Sequence, residues 1–190
     1  MPETEPRVIK SIHWTGGELS LNEVCRLIRD QDGHVLTGTV IGEFDNLLLE
    51  VRYTVRCSVQ WQTQSVGLSV RRQGEFDHVS LIRDHAGNWK RDGADLPRLR
   101  GVSDVDIAVT PSTNTLPIRR LDLAVGESRE VTAAWVRFPS LEIQPLTQRY
   151  TRTSDVRYTY ESAGGKFRAE LEVDEHGLVT RYGNYWRVRM

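Results

Sequence analysis

Residues 47–63 read Leu-Leu-Leu-Glu-Val-Arg-Tyr-Thr-Val-Arg-Cys-Ser-Val-Gln-Trp-Gln-Thr, and their period decides the fold. Leu47, Leu49, Val51, Tyr53, Val55, Cys57, Val59 and Trp61 occupy one phase. Glu50, Arg52, Thr54, Arg56, Ser58, Gln60 and Gln62 occupy the other. A period of two places one apolar and one wet face on the same ribbon, which is the pattern of a half-buried strand. The run is far longer than the ~5–6 residues of an average strand, so it must twist, curve or break.

Working outward, the same alternation recurs at Phe167, Ala169, Leu171 and Val173 against Arg168, Glu170 and Glu172, and more briefly at Val156, Tyr158 and Tyr160. Residues 131–138 and 141–147 have strand-like composition. The chain holds 20 Val, 8 Ile and 15 Thr against 8 Ala, and side chains branched at Cβ favour a pleated sheet over a helix. Residues 20–30 are ambiguous. Ser20-Leu21-Asn22-Glu23 fits a helix-capping box, whereas Leu21, Glu23, Cys25 and Leu27 fit a strand; the strand is the reading adopted here. One apolar face per strand predicts antiparallel sheet covered on one side.

Leu27-Ile28-Arg29-Asp30-Gln31-Asp32-Gly33 and Leu81-Ile82-Arg83-Asp84-His85-Ala86-Gly87 share a frame that Leu171 to Gly177 repeats more loosely. An Asp that bonds its own backbone, followed three residues on by Gly, predicts a tight reversal between strands. The copies are 54 and then 90 residues apart, so they mark no solenoid period. They admit an internal duplication, roughly 1–100 and 101–190, on equal terms with convergent turn chemistry. No linker-like stretch divides the chain, and residues 1–190 read as one domain.

The 190 residues carry 25 Lys+Arg against 26 Asp+Glu, a net charge of -1. That balance argues against a phosphate-backbone (nucleic acid) partner. No apolar run approaches the ~18 residues of a membrane span. The opening Met-Pro-Glu-Thr-Glu-Pro-Arg lacks the form of a secretory signal, so a cytoplasmic location is expected. Cys25 and Cys57 are too few for a thiolate zinc site and read as small buried apolar residues. The five histidines show no metal-ligand spacing, and no phosphate-loop, dinucleotide or nucleophile-elbow motif is present; no metal or cofactor is expected. Trp61 reads as core.

The middle of the chain is different. Asp104-Val105-Asp106 is followed by Thr110-Pro111-Ser112-Thr113-Asn114-Thr115-Leu116-Pro117-Ile118-Arg119-Arg120-Leu121. Two prolines six apart interrupt any ladder, so a structured loop or short helix is expected. Asp104 and Asp106 share a face of a probable strand, roughly 6–7 Å apart. The first reading is a structural Asp–Arg network with Arg119 and Arg120. Contact with a polar ligand is the second, and acid–base catalysis the third.

This central run, together with His13-Trp14, Glu23, Gly38 to Gly42, Gly87-Asn88-Trp89, Gln148 to Thr151 and Asp174 to Tyr182, resembles a bacterial family described as glycolipid-binding. Ser112 stands where the family pattern has an aromatic. The resemblance implies a spiral β-roll of two similar repeats, like the half-open barrels of lipoprotein localisation factors, and supplies no catalytic residues. It implies a lipid or glycolipid ligand, with an acyl chain inside the concave shell. A sugar or phosphate head would need donors and acceptors at the mouth, and Asp104, Asp106, Asn114, Arg119 and Arg120 are the candidates the sequence offers for that role. A non-enzymatic binder is therefore the leading function. A protein-interaction or scaffold module is the alternative, and a hydrolase using Asp104 and Asp106 comes third. Oligomeric state is left open.

Overall fold

The 47–63 alternation becomes one strand, a tight reversal and the start of the next strand. The computed structural model describes residues 5–189. Ser58 organises the reversal: its carbonyl accepts from Trp61 N (3.0 Å), its N–H donates to Gln62 O (2.9 Å), and its hydroxyl accepts from Gln60 N (3.2 Å). Alternation thus runs through a turn without changing phase, which is why composition alone shows no break there.

Fifteen strands follow. The first eight are β1 (Arg7–Gly16), β2 (Ser20–Arg29), β3 (Gly33–Phe44), β4 (Leu47–Ser58), β5 (Thr63–Arg72), β6 (Glu75–Arg83), β7 (Trp89–Arg91) and β8 (Ala94–Asp95). After a 3-10 turn at Pro97–Leu99 come β9 (Asp104–Ile107), a 3-10 turn at Ser112–Asn114 and the seven-residue helix α1 (Thr115–Leu121). The remainder is β10 (Ser128–Val136), β11 (Ile143–Ser154), β12 (Arg157–Ser162), β13 (Phe167–Val173), β14 (Val179–Tyr182) and β15 (Trp186–Val188). The ambiguous segment at 20–30 is strand β2, and the candidate capping box caps nothing.

All fifteen strands form one sheet in the order β8-β7-β6-β5-β4-β3-β2-β1-β15-β14-β13-β12-β11-β10-β9. Each neighbouring pair is antiparallel except β9 and β10, which run parallel with Asp106 beside Trp135. The sheet is all-β, strongly curved and unclosed, consistent with a β-roll. Its two halves meet where Trp14 of β1 lies opposite Val188 of β15. Trp14 Nε1 donates to Val179 O at 2.6 Å, tying the halves together beneath that seam. On the far side the edge strand β9 approaches β5. Thr63 N donates to Ser103 O (2.9 Å), and Val105 N donates to Thr63 Oγ1 (3.2 Å).

The three predicted reversals are built alike. Asp30 Oδ1 accepts from Gly33 N, Asp84 Oδ1 from Asn88 N, and Asp174 Oδ1 from both His176 N and Leu178 N, all within 2.8–2.9 Å. Gly87 and Gly177 adopt φ 80° and 79°, a left-handed conformation that L side chains resist.

One apolar face of the sheet turns inward, and the shell is filled. Leu36, Val51, Val55, Val66, Leu68 and Leu81 pack with Trp14 and Trp89 in the first half. Tyr150, Tyr158, Tyr160, Leu171 and Val179 pack in the second. Cys25 and Cys57 are free thiols buried in the first cluster. Between the halves lies the central segment: every residue from Val109 to Ile118 is buried. Leu116 belongs to the first cluster and Ile118 to the second, so α1 joins the two cores. Residues 109–118 therefore pack between the two halves of the sheet. The run of Thr, Pro, Ser and Asn forms the expected structured loop and short helix, and most of its polar side chains find partners within the protein, Thr115 Oγ1 being the exception.

Candidate functional site

The plug carries its polar side chains into two clusters, one in each half. In the first half Glu23 lies on the inward, apolar phase of β2 among Leu21, Cys25 and Leu27, and is 1% exposed. Its Oε1 accepts from the Tyr53 hydroxyl and from Thr110 Oγ1 (2.8 Å). Thr110 Oγ1 in turn lies 2.9 Å from Ser112 Oγ and accepts from Ser112 N at 3.0 Å. Burial pushes the Glu23 carboxyl up to about 8, against the opposing hydrogen bonds from Tyr53 and Thr110. At neutral pH it is uncharged, which is what makes a carboxyl tolerable in that position. Burial likewise raises the neighbouring Cys25 thiol, so it is no nucleophile.

In the second half β9 presents Asp104 and Asp106 side by side, and their fates differ. Asp104 is 1% exposed and grips Arg120 with both oxygens: Nε to Oδ1 at 3.0 Å and Nη2 to Oδ2 at 2.6 Å. Burial raises its pKa and the Arg120 fork opposes the rise. Asp106 has no arginine. Its Oδ2 accepts from Gln148 Nε2 at 2.5 Å, and burial lifts its pKa to about 6. The Tyr150 hydroxyl donates to Asn114 Oδ1 at 2.9 Å, with Gln148 Oε1 at 3.4 Å. Burial raises the pKa of Tyr150, Tyr160 and Tyr182, and the nearby charge of Asp106 adds to it in each. Asp106 therefore sits among three phenols. Around them the rings of Tyr160, Phe167, Tyr182 and Tyr185 meet mostly edge to face, 5.5–5.9 Å apart from one ring to the next. Phe167, Tyr182 and Tyr185 are only half-buried.

Of the five residues expected at one mouth, the structure gathers four. Asp104 with Arg120 forms one pair, and Asp106 with Asn114 shares a network through Gln148 and Tyr150. Arg119 lies elsewhere, with its guanidinium 5.6 Å from the Trp61 ring centroid, a ring that also stacks on His34 at 3.8 Å. Consecutive residues on a helix diverge by about 100°, so Arg119 and Arg120 could not both reach Asp104. No role was assigned from sequence to Glu23, Thr110, Gln148 or Tyr150. A signal existed for Glu23, a lone acid on an otherwise apolar phase. Gln148 and Tyr150 likewise share one phase of β11.

Fold and site together define a class: a one-sheet β-roll with its central segment packed between the halves, and a largely buried polar network flanked by half-buried aromatic rings in the second half. The chain belongs to the family described as "Putative glycolipid-binding", which matches residues 11–188. It is similar to a crystal structure of a DUF1089 family protein from Pseudomonas aeruginosa, at 34% identity and a TM-score of 0.81, over 90% of this chain and 93% of that one. Comparison with curated proteins returns no match. No helix among the described residues is long and apolar enough to cross a membrane.

Proposed function

We propose that the protein binds a glycolipid without transforming it, and that it recognises the sugar rather than the acyl chain. The observation that carries this reading is the Asp106–Gln148 contact set among half-buried aromatic rings. The partly exposed carboxylate of Asp106, held in place by buried Gln148, can accept from sugar hydroxyls. Rings beside it cover the apolar face of a pyranose. Burial of residues 109–118 between the halves supports placing the acyl chain elsewhere. The chain would lie outside the roll or require the plug to move. A hydrolytic mechanism would need a second available carboxyl, and both oxygens of Asp104 are committed to Arg120.

Calorimetric titration with methyl and octyl glycosides tests this. Saturable binding is expected for both, with Asp106→Asn weakening it about tenfold, or roughly 1.4 kcal/mol. Native mass spectrometry followed by organic extraction would identify a co-purifying lipid class. Binding of plain fatty acid with no response to any glycoside would overturn the sugar-first reading. A clean apo mass with no uptake from a lipid extract would favour the protein-interaction module.

A further inference from the structure

Two residues before Asp106, the same strand anchors a second surface of different chemistry. A groove of about 460 Å³ is bordered by Arg98, Arg100, Ser103, Arg120 and Thr132. No Asp or Glu borders it. Arg98 and Arg100 are exposed and, among the described residues, form no ion pair. Arg120 is held differently, because buried Asp104 binds its Nε and Nη2 and leaves Nη1 uncommitted. The carboxylate thus fixes the plane of the guanidinium as well as its position.

The wall carrying Arg98 and Arg100 is rigid. Leu99 and Val102 are buried. Val102 O accepts from Arg83 Nε (2.8 Å) and from Trp89 Nε1 (2.9 Å), and Gly101 N donates to Gly87 O (2.9 Å). Three guanidiniums are therefore presented along one groove of a protein whose net charge is -1. An anion in the groove would face three positive side chains and no carboxylate.

We propose that this groove binds a phosphoryl group, with Arg98, Arg100 and the free edge of Arg120 as its donors and Asp104 as the residue that positions Arg120. Three guanidiniums bordering one groove can supply donors to all three terminal oxygens of a phosphate monoester, where a carboxylate offers two acceptors. The volume is in the range of small-molecule sites, leaving room for one sugar-sized substituent. The site does not rest on the glycoside reading, since it shares no side chain with the Asp106 contact set.

The test is a titration of the full chain with inorganic phosphate, glucose 6-phosphate and dihexanoyl phosphatidic acid below its micelle concentration, followed by amide and arginine Nε NMR. Saturable shifts at 98–103, Arg120 and Thr132 are expected, and an Arg98→Ala/Arg100→Ala double variant should bind at least tenfold more weakly. Both positions are exposed, so that variant should fold, and its glycoside binding should be unchanged. Binding of all three probes marks a free phosphate monoester site, whereas a response to phosphatidic acid alone marks a lipid headgroup site. No saturable response to any probe, or a response undiminished in the double variant, overturns the proposal.

Discussion

Glu23 and Asp106 are both carboxyls that burial holds against ionisation, and they sit in the two halves of one sheet. Around Glu23 the packing is aliphatic and complete, with Tyr53 and Thr110 sharing one oxygen and no partner for Oε2 among the described residues. Around Asp106 the packing is phenolic, and the rings at its margin are half-buried. On the proposed reading the same architecture is scaffold in the first half and carries recognition in the second. What separates the two carboxyls is exposure: Glu23 is sealed, whereas Asp106 is partly exposed, although its neighbours Gln148 and Tyr150 are buried.

The largest expected effect tests the sealed side. Glu23 keeps its proton in the folded chain until about pH 8, whereas an unfolded chain releases it near 4.5. Its contribution to stability is therefore full below pH 4.5 and is lost as pH rises to 8, on the order of 5 kcal/mol in all. Asp106 acts with the same sign over the narrower interval from 3.8 to about 6. Urea unfolding of Glu23→Gln should show a nearly flat midpoint between pH 6 and 8, where the parent chain declines. Parallel slopes would mean that Glu23 is not sealed.

A smaller effect tests the plug. Leu116 is fully buried on α1, so Leu116→Ala should cost about 3 kcal/mol of unfolding free energy. A loss under ~1 kcal/mol would instead mark residues 109–118 as a dispensable lid, and would restore the acyl-chain interior.

The smallest effect asks whether the first half is scaffold alone. Gly67 lies mid-strand on the outer face of β5, where an added Cβ meets nothing within 4 Å. It borders a 490 Å³ groove with Thr54, Ser69 and His78. Gly67→Thr should stabilise the chain by about 0.5 kcal/mol through strand propensity and lost unfolded-state entropy. If glycoside binding fell at the same time, the assignment of recognition to the second half would fail.

Much of the sheet was legible because period-two alternation is a local property. Residues 20–29, 47–58, 157–162 and 167–173 each display it and each form a strand. The reversals at Asp30, Asp84 and Asp174 were legible because an Asp side chain bonds its own backbone within a few residues. The location of residues 109–118 was not. A segment of Thr, Ser, Asn and Pro has no apolar signature, and its burial depends on partners as distant as Glu23 and Tyr150. The Asp104–Arg120 pair followed from opposite charges near in sequence, while the diversion of Arg119 to Trp61 depended on helical phase and on a turn in the other half. Gln148 belongs to the family pattern, but the role of a neutral amide is not legible until its partner is placed.

The seam between β1 and β15 bears on how the chain folds. Almost every other strand pairs with a neighbour in sequence, so each half can assemble as a meander from short-range contacts. Opposing Trp14 to Val188 closes a loop spanning nearly the whole molecule, and such closure is entropically slow. The two halves should therefore form first and zip together last. A circular permutant opened between β8 and β9 and joined across the seam would carry all fifteen strands in sheet order. Its refolding should outpace that of the natural arrangement, with the final structure unchanged.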